Sequence, residues 1–416
     1  MTRSLRLPGF RRLLVAYLIN ELAWSVGTLA LAVLVYRATG SAIGSAAFFI
    51  CSQVLPAFAA PALVARLDRW PPRVILPLLY GLEALLFGVL AWMTRHFSLV
   101  PVLALALADG AVATTARSLA SATRTEILKP HDLLHEGNAV ANIGFSAMFM
   151  AGPVIGGAVV VAGGTIAALL ANCGLFALMA LVLSVTRLPG ARPEPGSVLA
   201  RLRAGLAHTR EDPPLGRLLM MQALGLVFFT VTIPVEVVYA QHTLHAGAGG
   251  YGALLGAWGG GAVAGSAVFA RWRRRSVAVL LSGSAAALGV GFAIMTVAPS
   301  LAVALAGAAI AGAGNSVEWV AARTAVQERT PDRWMTLMMS VAESISQLAP
   351  GLGILIGGLI TALATARVAF AVSALGSLAF AAAVPWVFRR GLTLPVAETE
   401  ADVTPGSALD RDESLV

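Results

Sequence analysis

Runs of about twenty apolar residues recur from one end of this chain to the other. A spanning helix needs roughly 20 mostly apolar residues. Twelve such runs can be placed, at about 13–36, 43–64, 74–94, 98–118, 137–162, 166–186, 218–240, 251–270, 277–297, 301–322, 336–363 and 367–388. With 58% hydrophobic and only 12% charged residues, the chain cannot dress a water-exposed surface, for which soluble domains use about 25% charge. A lipid bilayer is the solvent that fits. The fifth and eleventh runs are long enough to require a kink or a tilt. The first is too long for the core of a removable signal and lacks a small-residue cleavage site, so an uncleaved first helix is expected. Cys51 and Cys173 both fall inside runs, where packing is the expected role.

A formal charge of +8 invites a nucleic-acid partner, but its distribution argues against one. With the N-terminus placed in the cytoplasm, 26 of the 29 Lys and Arg residues fall in cytoplasmic loops or at cytoplasmic helix ends. Only Arg37, Arg95 and Arg367 fall on the other side. That bias predicts an even number of crossings of an inner or plasma membrane, with both termini cytoplasmic. The basicity is topological.

The polar, proline- and arginine-rich segment "RLPGARPEPGSVLARLRAGLAHTREDPPLGR" divides the runs six and six. It predicts an N-terminal bundle over 1–186, a cytoplasmic linker over 187–217, a C-terminal bundle over 218–390, and a disordered acidic tail over 391–416. Residues 197–210 can form an amphipathic helix on the inner leaflet, or simply a solvated linker. A shift of 201 residues lays Pro130 on Pro331, and "GPVIGG" (152–157) on "GILIGG" (353–358). Two related bundles follow, an arrangement of secondary transporters. The expected fold is therefore all-α and membrane-integral, with twelve transmembrane helices in two pseudo-symmetric six-helix bundles.

Gly152, Pro153, Gly156 and Gly157 would each penalise an isolated helix. In a membrane bundle, small residues let backbones approach closely, and neighbours satisfy what a proline frees. Packing and bending are their expected roles.

Carboxylates are the sharper signal. An acid at a helix centre costs roughly 2.5–3.5 kcal/mol on insertion scales and faces a partner or a water-filled cavity. Glu21, Asp109, Glu236 and Glu318 lie in the first, fourth, seventh and tenth runs, with Glu83 and Glu343 as further cases. The arginines gather at cytoplasmic ends, too far away to neutralise them. Reversible protonation is one reading; a helix-to-helix hydrogen bond by a permanently protonated acid is the other. In the loop "ARLDRWPPRV", Asp68, Arg69 and Arg73 form either a cytoplasmic gate or plain topology-setting charge. All six histidines fall in loops or near run ends, and neither a phosphate-cradling loop nor a nucleophile elbow is present. No enzyme, cofactor or metal site is indicated.

Taken in order, these motifs resemble the major facilitator superfamily over about 10–390. "VARLDRWPPRV" is similar to its loop signature, with Asp68, Arg69 and Arg73 at the charged positions. "GPVIGG" resembles its antiporter-associated signature. "FRRLLVAYLINELAW", "YRATGSA" and "QERTPDR" resemble the drug:proton antiporters that include macrolide and siderophore exporters. The resemblance implies a cavity lined by runs 1, 4, 7 and 10, each bearing one acid, and rocking of the two halves. There are departures: Val64 and Met148 replace signature glycines, and Ala23-Trp24 stands where many relatives carry Gly-Asp. Glu21, one turn earlier, would then have to substitute for that aspartate.

The expected function is proton-coupled export of a small amphipathic compound, a cation being the form that acid-bearing apolar walls suit. The expected partners are protons, substrate and lipid, and the protein is expected to be a monomer. A metabolite facilitator or symporter, or a non-transporting scaffold or receptor of the same fold, remain alternatives.

Overall fold

The computed structural model describes residues 3–67, 70–186, 188, 213–272, 275–329 and 332–388. Asp68, Arg69, the linker from 189 to 212, the tail over 391–416 and the side chain of Glu343 lie outside the described residues. Thirteen α-helices follow in order among those described. They are α1 Pro8–Thr39, α2 Ala42–Phe49, α3 Pro56–Leu67, α4 Pro72–Met93, α5 Leu99–Leu128 and α6 Leu134–Ser184 in the first part. The second part holds α7 Pro213–Thr230, α8 Ile233–Val238, α9 Gly247–Trp272, α10 Val277–Val297, α11 Leu301–Arg329, α12 Asp332–Leu363 and α13 Ala366–Phe388. Ten segments among the described residues are long and apolar enough to cross a membrane.

Large apolar side chains cover the outside of the bundle as well as filling its core. On α4, Glu83 is 0% exposed, while Leu78, Leu85 and Trp92, spaced by seven, are each more than 60% exposed. That face suits lipid, and the acid faces inward.

Three irregularities shape the bundle. The apolar stretch Glu136–Ser184 is 49 residues long, about 74 Å of helix, more than twice the hydrocarbon thickness of about 30 Å. Gly164 breaks it with φ 74° and ψ 178°, a backbone open to glycine alone. The break falls between the expected fifth and sixth runs. A π-helical turn, Ile50–Val54, joins α2 to α3. Pro56 has no N–H for the Ser52 carbonyl, and Leu55 N instead donates to the Ile50 carbonyl at 2.9 Å.

The third irregularity corrects an expectation. The fourth run was expected to end near 118, yet α5 continues to Leu128. The extension "SLASATRTEIL" is polar but helix-compatible. Thr123 and Thr125 hydroxyls donate to the carbonyls four residues back, at 2.8 and 3.2 Å. Arg117 thus stands eleven residues before the helix end, about 16 Å in. An arginine does reach the buried acids.

The two glycine motifs pack alike. On α6, a methyl group added to Gly152 would sit 2.7 Å from Ser25 Oγ, and one on Gly156 3.1 Å from Val26 Cα, both on α1. On α12, Gly353 and Gly357 meet Thr230 and Val231, at the end of α7, in the same way. The third glycine of each motif crosses to the other half: Gly157 against Ala248 and Gly252 of α9, and Gly358 against Ala42 and Ala46 of α2. The carbonyl of Phe149, which Pro153 deprives of its helical donor, lies against Gly259 of α9.

These crossings lie toward the end of the bundle remote from the start of α1 and the finish of α13. Arg37 at that end donates from Nε to Gln241 Oε1 at 2.8 Å, again linking the halves. Within the second half, Arg367 caps the end of α10 by donating to the Thr296 and Ala298 carbonyls at 2.9 and 2.8 Å.

Gly357→Val is expected to lower the thermal midpoint in detergent by an overpacking cost of about 1–3 kcal/mol. The added methyls would collide with the Val231 carbonyl, which a side-chain shift cannot relieve. Differential scanning fluorimetry reads the effect, and an unchanged midpoint would refute the close packing.

Candidate functional site

A cavity of about 760 Å³ lies wholly among helices of the first half. On α5, residues 106, 109, 110, 113, 117, 120, 121, 124 and 125 line it, a stripe at helical spacing. Gly110 lets α5 press on the π-helical turn, where an added methyl would strike the Ser52 carbonyl and Pro56. The turn in return presents Ser52 and Gln53 to the cavity beside Asp109. Opposite stand Tyr17, Asn20 and Trp24 of α1, and Tyr80, Glu83 and Phe87 of α4. Phe176, from beyond the Gly164 break, closes the wall and stacks on Phe87 with centroids 5.4 Å apart. Exposed Ser118, Ser121 and Ala122 mark the mouth, at the end where α1 begins.

The polar groups of this cavity divide by sign. Glu83 and Asp109 are close enough to repel one another, and Glu83 Oε1 and Oε2 and Asp109 Oδ1 are buried without a hydrogen-bond partner. Arg117 lies within electrostatic reach of Glu21, Glu83 and Asp109. Its guanidinium sits over the Trp24 ring, 5.7 Å from the centroid, and that of Arg124 over Tyr17 at 5.3 Å. Such cation–π contacts hold a guanidinium in place where it is shielded from water. Nε of each arginine is likewise buried and unpartnered.

The other expected site residues lie apart. Glu21 is 5% exposed and sits behind the cavity wall, next to lining residue Asn20. Glu236 is half-buried on α8 and interacts with Tyr251 of α9. Glu318 sits against Gly225 of α7. It lines a cleft of about 20 Å³ with Gln222, Asn315 and Trp319, room for about one water. Arg73 is exposed at the start of α4. Asp109 therefore shares a large cavity with Glu83, which ranks behind Glu21 by sequence, and with Arg117, which sequence places at a helix end. The spacing of Asp109, Ala113 and Arg117, four residues apart, was the available signal for a shared face.

A profile of the family described as the Major Facilitator Superfamily matches residues 13–349 and, in a second match, 218–410. Among curated proteins, none matches. Several solved structures share the fold. The nucleoside transporter NupG superposes with a TM-score of 0.72 at 11% identity, covering 92% of this chain and 100% of that one. A bacterial homologue of the iron transporter ferroportin, in an inward-facing state, gives 0.70 at 13% identity over 92% and 99%. The human organic anion transporter MFSD10 gives 0.57 at 19% identity over 91% and 99%. At such identities the likeness is one of fold.

Proposed function

Because the chain belongs to the major facilitator superfamily, we propose that it is a secondary active transporter that exchanges protons for a small amphipathic compound, in the direction of export. The observation that carries this reading is the carboxyl pair Glu83 and Asp109, buried with three unpartnered oxygens in a drug-sized cavity. A buried pair of acids beside a cation is a site that protons and a charged substrate group can occupy in turn. Drug-sized ligands use pockets of about 300–1,000 Å³.

The rest of the reading follows the same logic. Counting α6 as two crossings at Gly164, and α12 as one, turns the ten apolar segments into twelve. Residues 1–186 and 218–390 then form the two bundles, joined by the 187–217 linker, with 391–416 as a tail. The basic residues put the mouth of the cavity on the cytoplasmic side, the loading side of an exporter. Glu21 and Arg117 tune the carboxyl pair, Glu236 and Glu318 belong to the second half, and Asp68, Arg69 and Arg73 gate the cytoplasmic face. The drug:proton antiporter branch is supported by motif resemblance alone.

Proteoliposomes carrying a pH-sensitive dye test the reading. Amphipathic compounds of differing charge, ethidium among them, are added to vesicles with an imposed pH gradient. Antiport predicts that a transported compound moves protons in the opposite direction. Compound flux indifferent to the gradient would establish a facilitator. Protons moving with the compound would establish a symporter, and no flux for any compound would overturn transport.

A further inference from the structure

Resting on the transporter reading, we infer that the transported compound is a zwitterion, held lengthwise with its cationic group at Glu83 and Asp109 and its anionic group at Arg117 and Arg124. The cavity has two ends of opposite sign. At the deep end, Glu83 Oε1 and Oε2 and Asp109 Oδ1 are acceptors with no donor. Toward the mouth, Arg117 Nε and Arg124 Nε are donors with no acceptor. Buried polar groups left unpaired are costly, so the ligand that gains most here answers both sets.

A simple cation would satisfy the carboxylates and bring a like charge toward two guanidiniums. A simple anion would do the converse. The arginines cannot readily swing out to the mouth to avoid this, because Trp24 and Tyr17 lie beneath their guanidiniums. Arg124 also donates from Nη2 to Ser121 Oγ at 3.4 Å.

The helix sets the length of the ligand. Along α5, Arg117 stands eight residues beyond Asp109 and Arg124 fifteen, about 12 and 22 Å of rise. An arginine side chain in a helix leans toward the N-terminus, which shortens the first separation. The charges of the ligand should therefore lie about 10 Å apart. The same cavity is lined by Trp24, Tyr80, Phe87 and Phe176, so the body of the ligand is apolar or aromatic.

The probes are ω-amino acids of five to twelve carbons, each compared with its methyl ester, a cation, and its N-acetyl derivative, an anion. Binding to the purified full chain in detergent is read by titration calorimetry. The zwitterion of matching length should bind at least about tenfold more tightly than either singly charged form, the effect of one charged hydrogen bond. Arg117→Gln should narrow that advantage over the ester to within about threefold, weakening the zwitterion and strengthening the cationic ester, which no longer meets the like charge. Asp109→Asn should remove the advantage over the N-acetyl acid, and Arg117→Lys should retain most of the wild-type preference. Ester binding at least as tight as in the wild type also shows that the Arg117→Gln variant is folded.

An ester that binds wild-type protein as tightly as the zwitterion, or no probe binding at millimolar concentration, would overturn the inference. Proton exchange driven by ethidium would then leave antiport standing with a cation as substrate. No flux of any compound would remove the transporter reading itself.

Discussion

Asp109→Asn is expected to cut proton-coupled transport by about 100-fold or more, and Glu83→Gln by a similar factor. Each replacement keeps the shape of the side chain and removes the charge and the exchangeable proton. A 100-fold loss corresponds to about 2.7 kcal/mol of barrier, an effect of the size expected when the proton that a transport step exchanges can no longer bind. Both variants should insert normally, and Glu83→Gln should raise the thermal midpoint. Glu83 is 0% exposed with neither oxygen hydrogen-bonded, and an unpaired amide is less costly to bury than an unpaired carboxylate. Loss of activity with a gain in stability is the mark of a residue kept for function. Glu318→Gln, in a cleft with room for about one water, should retain rates within about threefold of wild type. Initial rates of substrate-driven proton movement in proteoliposomes decide the matter. Full activity in both Asp109→Asn and Glu83→Gln, with loss in the Glu21 or Glu318 variant, would move the coupling site elsewhere.

Much of the architecture was legible because lipid imposes strict rules on a chain. Apolar runs follow from the need to satisfy backbone groups inside a bilayer, and the described residues hold ten segments long and apolar enough to cross one. Even the break at Gly164 was foreshadowed by the gap between two runs. The site was less legible, for a reason visible at Arg117. Hydropathy ends a span where polar residues begin, but α5 does not end there, since its serines and threonines bond back to their own helix. Arg117 was therefore assigned to the rim, and Asp109 was left without its cation. Trp24 shows the same limit. It stands where many relatives have an acid, and only its neighbours in space reveal that its ring lies beneath Arg117. Glu83 ranked low because nothing in a single helix says which neighbour its carboxylate faces. Depth along a span can be read from sequence, whereas facing requires the packed bundle.

Gly157→Leu is expected to abolish transport by a different route, leaving the binding cavity whole. A methyl group at this position would already sit 3.0 Å from the Ala248 carbonyl and 3.2 Å from Gly252 Cα. Both obstacles are backbone, so a leucine fits only if α6 and α9, which belong to different halves, move apart. Overpacking of this kind costs about 1–3 kcal/mol, enough to shift an equilibrium between two arrangements of the halves by about 5- to 150-fold. Gly358, packed on Ala42 and Ala46, should behave alike when enlarged. Gly156 faces Val26 within its own half, so Gly156→Leu should lower the melting temperature without separating the halves. Arg37→Ala removes one hydrogen bond to Gln241 and should shift the equilibrium by only about 1 kcal/mol. Spin labels on Ala38→Cys and His242→Cys, both exposed at the closed end, report the separation directly. The two native cysteines, Cys51 and Cys173, are first replaced by serine. Gly157→Leu should lengthen the label distance, whereas Gly156→Leu should not, and probe binding should survive in the former because no cavity wall is touched. An unchanged distance in Gly157→Leu, with a melting temperature lowered as in Gly156→Leu, would reduce the third glycine of the motif to ordinary packing. A lengthened distance would make it the pivot on which the rocking of the two halves turns.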